Sequence, residues 1–118
     1  MYRVAEGKRV IPARCLCGLA EDAEINTYAR DICNHNILEV EAGTTLPRGE
    51  ETKYGGVSYF AIKDAGGTNW NIEVTKDRHG HADGVAVALA GTTELETIII
   101  ALKFITKVLE EELAEVHD

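Results

Sequence analysis

Leu95, Leu102, Leu109 and Val116 stand seven residues apart, with Ile98, Ile99 and Ile105 between them. That spacing commits the end of the chain to one long helix, from about Thr93 to Val116. Thr93 with Glu96 three residues on has the form of a capping box at its start. Ile100 and Phe104 widen the apolar face beyond what one sheet would cover. A helix apolar over most of its circumference is buried on more than one side. At 118 residues the chain has the length of one compact domain. The second side is therefore most simply another subunit, and a homo-oligomer is expected.

Four segments upstream of the helix alternate as strands do. Leu38, Val40 and Ala42 alternate with Glu39 and Glu41. Val57–Lys63 is apolar on both faces. Trp70, Ile72 and Val74 alternate with Asn71, Glu73 and Thr75, and Val85, Val87 and Leu89 alternate with Ala86, Ala88 and Ala90. Ala65-Gly66-Gly67-Thr68 reads as a hairpin turn between the second and third of these strands, and Lys76–Gly84 as a longer polar loop between the third and fourth. Leu46–Gly56, with Pro47, Arg48, Gly49, Gly55 and Gly56, is an irregular connection of a length usually tied to function or mobility.

Ahead of the strands, Ile25, Tyr28, Ala29, Ile32 and Cys33 recur at i, i+3, i+4, i+7 and i+8. This predicts a helix over Asp22–His35, with Asp22 as N-cap and Asn34 or Asn36 closing it. Residues 1–20 read as an arm or short edge strand, and 21–118 as a single domain. The expected fold is α+β: an antiparallel four-stranded sheet, with room for an extra N-terminal edge strand, packed by an N-terminal helix and a long C-terminal helix.

Charge and cysteine content narrow the function. The formal charge of −8 argues against long nucleic acid, which requires a basic face. From Thr92 onward there are seven acids and only two lysines, Lys103 and Lys107, so −5 of the charge is local to the final helix. The remainder carries −3, which leaves scope for a small basic pocket. Three cysteines, an odd number, fit a reducing compartment better than a disulfide scaffold. No apolar run of 18 residues predicts a membrane span, and Met1–Glu6 lacks the apolar core of a signal peptide. A cytoplasmic location is expected.

The tetrapeptide Ala-Gly-Thr-Thr occurs twice, at Ala42–Thr45 and Ala90–Thr93. Such turns offer backbone N–H groups and hydroxyls to small anions, although Gly and Thr are also common in plain turns. The second copy has the structural task of capping the long helix. Thr44 and Thr45 of the first copy are thus the candidates for ligand contact. Tyr59-Phe60 and Asn69-Trp70-Asn71 flank the expected hairpin turn, so Tyr59, Phe60, Asn69 and Asn71 would lie on neighbouring strands. An aromatic ring facing asparagine amides suits a nucleobase, which stacks on the ring and is read at its edges. Arg30 and Arg48 are the candidates for phosphate contact.

Other groupings carry less. Cys15-Leu16-Cys17 and Cys33-Asn34-His35 suggest zinc, but residues two apart on a helix point away from each other, and no metal site is expected. His79-Gly80-His81 reads first as a solvated turn. Glu39 and Glu41 read as the wet side of a strand. No nucleophile, general base or carboxylate pair stands out, so the chain reads as a binding module without cofactor rather than an enzyme.

The stretch from Ile25 to Thr45, Tyr59–Asp64 and Glu94–Glu111 resemble small proteins of phages and mobile elements. In size and element order the chain looks like the phage anti-Thoeris sponge proteins of the first type, over roughly residues 22–116. The resemblance implies sequestration, without cleavage, of cyclic ADP-ribose isomers made by bacterial TIR-domain enzymes, and for some members of cyclic oligonucleotides. It implies a cytoplasmic viral anti-defence protein assembled from dimers into hexamers, with nucleotide at interfaces. The family's aromatic and hairpin polar residues would fall on Tyr59 or Phe60 with Asn69 and Asn71, and its helix arginine on Arg30. Its late arginine has no counterpart, since none follows Arg78. Two alternatives stand beside this reading: a protein–protein inhibitor acting through the acidic helix, and, more weakly, a nucleotide phosphodiesterase using His79 and His81.

Overall fold

The computed structural model describes residues 4–45 and 56–117, with side chains to residue 112. Strands β1 (Ala5–Ile11), β2 (Ala23–Cys33), β3 (Ile37–Thr44) and β4 (Ser58–Gly66) form one antiparallel sheet in the order β1-β2-β3-β4. Strands β5 (Trp70–Lys76) and β6 (Ala82–Leu89) form a separate two-stranded hairpin, and helix α1 (Thr92–His117) closes the chain. The fold is α+β, as expected, with the four-stranded antiparallel sheet and the long C-terminal helix.

Two expectations are corrected. The segment read as a helix over 22–35 is strand β2, and the region before it supplies only a short 3-10 turn at Ala13–Cys15. The misleading period has a physical source. Ala23, Ile25 and Thr27 are buried on one face of the sheet, whereas Ile32, with the half-buried Tyr28 and Arg30, faces the helix. A strand that is apolar first on one face and then on the other yields i, i+3, i+4, i+7 by coincidence. Its Ile, Thr and Tyr content favours strand over helix. The second correction concerns the sheet's membership. Its four strands are β1 to β4, so the N-terminal segment enters as β1 and the last two expected strands pair only with each other.

Helix α1 lies mainly along β3. Its Ala101, Phe104, Ile105 and Val108 pack on Ile32, Leu38, Val40 and Ala42, with Trp70, Ile62 and Tyr28 at the margins. Leu38 and Val40 are wholly enclosed, and each such side chain contributes about 1.5–3 kcal/mol through burial. On the opposite face a smaller cluster joins Leu19, Ala23, Ile25 and Val57. Gly43 stands where a Cβ would collide with the backbone carbonyl of Asn26, so β2 and β3 close to their full depth only with glycine there.

The start of α1 is fastened by polar contacts rather than by the expected Thr93–Glu96 box. Gly91 takes φ +119°, and the Glu94 carboxylate accepts the Asn69 N–H at 3.2 Å and the Thr93 hydroxyl at 2.9 Å. These donors, the Asn69 N–H first, hold Glu94 below its ordinary pKa. Glu96 is exposed. One turn on, the buried Thr97 hydroxyl donates to Asn36 Oδ1 at 2.8 Å, and Asn36 Nδ2 donates to Thr68 Oγ1 at 2.9 Å. The helix start is thereby tied to the β2–β3 turn and to the β4–β5 connection. No described helix is long and apolar enough to cross a membrane.

Candidate functional site

Among the described residues, a concavity of a size to suit a small molecule lies between α1 and β2 on the sheet's helix face. It measures about 500 Å³, within the usual range of ligand pockets. β2 delivers Tyr28 and Arg30, two residues apart and so on one face. α1 delivers Ile100, Lys103, Phe104 and Lys107, which recur at i, i+3, i+4 and i+7 and so form one stripe. The Arg30 guanidinium lies 5.7 Å from the centre of the Phe104 ring, a cation–π distance that orients the fork beside an aromatic wall.

The electrostatics are graded. In a chain of net charge −8, three cations (Arg30, Lys103, Lys107) converge on this one cavity. Glu111 and Glu112 line the same cavity, and Glu111 stands 4.0 Å from the Lys107 ammonium. Such a site offers charge to an anionic group, an aromatic wall to a ring, and carboxylate acceptors to hydroxyl or amine donors.

Of the residues expected to bind ligand, Arg30 is the one that lines this cavity. Thr44 and Thr45 work within the fold. Thr44 Oγ1 donates to the Val57 carbonyl at 3.3 Å and accepts from the Ser58 hydroxyl at 2.9 Å, while Thr45 Oγ1 accepts the Val57 N–H at 2.9 Å. The first Ala-Gly-Thr-Thr therefore pins the β3–β4 pairing. Arg48 lies outside the described residues.

The aromatic–asparagine hairpin is not formed, because β4 and β5 belong to different sheets. Phe60, 61% exposed, sits early in β4 opposite Ala42, and Asn69 follows that strand's far end. Six strand residues between them correspond to about 20 Å. Asn71 lies on the polar face of the β5–β6 hairpin, opposite Ala88. Asn69 serves through its backbone, donating to Glu94 and accepting from Ala90.

Tyr59 points to the other side of the sheet. There the Arg9 guanidinium lies 5.6 Å from its ring centre and donates twice to Glu41 Oε1, at 3.0 and 2.7 Å. Thr27 Oγ1 donates to Glu41 Oε2 at 2.5 Å. The Arg9 hydrogen bond leads in holding the Glu41 carboxyl low, against the opposing effect of burial. Glu41 is therefore a structural anchor and not simply the wet side of a strand.

His79 and His81 occupy the tip of the β5–β6 hairpin. Asp77 Oδ1 accepts both of their N–H groups, at 2.8 and 3.0 Å, a turn-forming arrangement. Among the described residues no group of His, Cys, Asp and Glu is arranged to hold a metal ion.

Tyr28, Lys103, Phe104 and Lys107 were not singled out from sequence as ligand residues. A signal for the lysines was present: they are the two bases in an otherwise acidic final helix, one turn apart. Comparison with protein-family models, curated proteins and solved structures returned no match.

Proposed function

We propose that this chain is a non-enzymatic binding protein that sequesters a small, anionic, ring-bearing ligand in the cavity between α1 and β2. The observation that carries the reading is the convergence of Arg30, Lys103 and Lys107 beside Tyr28 and Phe104 in a strongly acidic chain. Arg30 and the lysines would hold phosphate, the aromatic walls would flank a base, and Glu111 or Glu112 would accept ribose hydroxyls. The ligand class proposed is the cyclic nucleotide signals of bacterial anti-phage defence, cyclic ADP-ribose isomers first, in keeping with the family the sequence resembles. Capture without cleavage would silence such a signal by mass action.

The test is to incubate the protein with a cyclic ADP-ribose isomer, follow its thermal midpoint, then heat-release and identify the ligand. The midpoint is expected to rise; a ligand at a hundred times its Kd adds about 2.7 kcal/mol. The ligand should be recovered intact. Loss of a charge-assisted hydrogen bond in Arg30→Gln should cost about 1.5–3 kcal/mol of binding, roughly ten- to a hundredfold. Lys103→Gln with Lys107→Gln, both at exposed positions, should weaken binding with the fold intact. A hydrolysed product would sink the sponge reading in favour of an enzyme. No thermal shift would favour the alternative, an inhibitor acting through its acidic helix.

A further inference from the structure

The cavity between α1 and β2 does not end at Tyr28. A second cavity, of about 360 Å³, shares Tyr28 with it and lies over the β1–β2 pair at the edge of the sheet. Register accounts for its walls. Glu6 stands opposite Tyr28 and Lys8 opposite Asn26, with Gly7 opposite Thr27 between them. Side chains alternate along a strand, so Asn26 shares the face of Tyr28 and Arg30, and Glu6 and Lys8 stand beside them. Thr27 turns the other way, where its hydroxyl holds Glu41, and the backbone of Gly7 and Thr27 forms the floor. The helix leaves this part of the face open, because α1 packs chiefly on β3. Along β2 the row Arg30, Tyr28, Asn26 covers four residues, about 13 Å.

The two cavities differ in charge. The first gathers Arg30, Lys103 and Lys107. The second has one carboxylate, Glu6, one ammonium, Lys8, and the Asn26 amide. The Lys8 ammonium lies 3.0 Å from the Glu24 carboxylate, which offsets it, so the balance over the second cavity is negative. A phosphate suits the first cavity and is disfavoured in the second. A ligand that fills both therefore carries its phosphates at one end only. At the other end, Glu6 and the face of Tyr28 both favour positive charge. The Asn26 amide offers a donor and an acceptor, the complement of another amide.

We propose that the two cavities form one groove for a bipolar dinucleotide, with phosphates at Arg30 and the lysines and a cationic, carboxamide-bearing ring between Tyr28, Glu6 and Asn26. The phosphate end of that ligand rests on the anion-binding role proposed for the first cavity. The ring end goes beyond it, since cyclic ADP-ribose has no such ring. Tyr28 is the wall common to both halves, and Glu6 with Asn26 sets the specificity.

The test is calorimetric titration of the full chain with three probes: oxidised nicotinamide adenine dinucleotide, its reduced form and ADP-ribose. The oxidised form has the cationic ring, the reduced form a neutral one, and ADP-ribose none. The oxidised form is expected to bind about tenfold more tightly than the reduced, from a cation on Tyr28 beside an exposed carboxylate. It should exceed ADP-ribose by more. Glu6→Gln, at an exposed edge-strand position, should narrow the oxidised-to-reduced ratio by about two- to fivefold. Asn26→Ala, also exposed, should weaken both dinucleotides and leave ADP-ribose unchanged. An oxidised form no tighter than the reduced form or ADP-ribose would overturn the groove, as would a ratio that Glu6→Gln leaves unaltered. ADP-ribose binding that Arg30→Gln weakens would then still uphold the phosphate site. Binding of none of the three probes would end both.

Discussion

The sheet-and-helix body and the β5–β6 hairpin are built from the same kind of sequence, and only one of them is covered. In β3, Leu38, Val40 and Ala42 alternate with acids and are fully enclosed beneath α1. In β5 and β6, Ile72, Val74, Val85 and Val87 alternate with the same regularity and stand open. Alternation marks which face of a strand is apolar. It does not name what lies on that face. The difference teaches that an apolar stripe without an intramolecular partner is a statement about the protein's surroundings.

The sharpest contrast comes from truncation. Leu38→Ala should lower the unfolding free energy by about 2–5 kcal/mol, measured by urea denaturation. If it cost less than the hairpin substitutions, the distinction between body and hairpin would collapse. Next in size, Asn36→Ala should cost about 1–3 kcal/mol, because the buried link from Thr97 through Asn36 to Thr68 would be cut, leaving the Thr97 hydroxyl only the Thr93 carbonyl. Gly43→Ala should cost a similar ~1–3 kcal/mol through overpacking against Asn26.

A smaller effect is pH-dependent. Glu94 and Glu41 both have pKa values held below the ordinary 4.5 in the folded state, by the Asn69 N–H and by Arg9 respectively. The stability they contribute is therefore complete above about pH 4.5, the unfolded value, and is lost as pH falls through the lower folded values. Glu94→Gln should lower the thermal midpoint at neutral pH and flatten its decline below pH 4.5, as read by melts across an acid series. An unchanged acid slope would show that Glu94 is not what fastens the helix start.

The smallest effect belongs to the hairpin in dilute solution. Val85→Ala should change the stability of the isolated chain by no more than about 0.5 kcal/mol, as for an ordinary exposed site. A markedly larger cost would mean that the hairpin is covered in solution.

The element types were largely legible in sequence where apolar residues face one side. α1 follows from leucines at heptad spacing, and β3, β5 and β6 follow from strict alternation. β2 was not legible, because it is buried on one face at Ile25 and on the other at Ile32, and two half-patterns of period two imitate one of period 3.6. Of the candidate site, one residue was legible in the sequence. Arg30 was singled out, but Tyr28 looked like helix core, and Lys103 and Lys107 look like solvated charges until β2 is placed across from them. Thr44, Thr45 and Tyr59 have the right chemistry for a ligand and are engaged by the fold itself.

By itself, then, the sequence determined an acidic α+β chain with a long apolar helix and a sheet of alternating strands, because propensity and periodicity act over neighbouring residues. Only the tertiary structure decided which strands share a sheet, that Glu94 rather than Glu96 secures the helix, and that three scattered cations meet in one cavity. The last two outcomes depend on pairings far apart in sequence, such as Asn69 with Glu94 and Arg30 with Phe104. Such pairings are set by which apolar faces can be covered together.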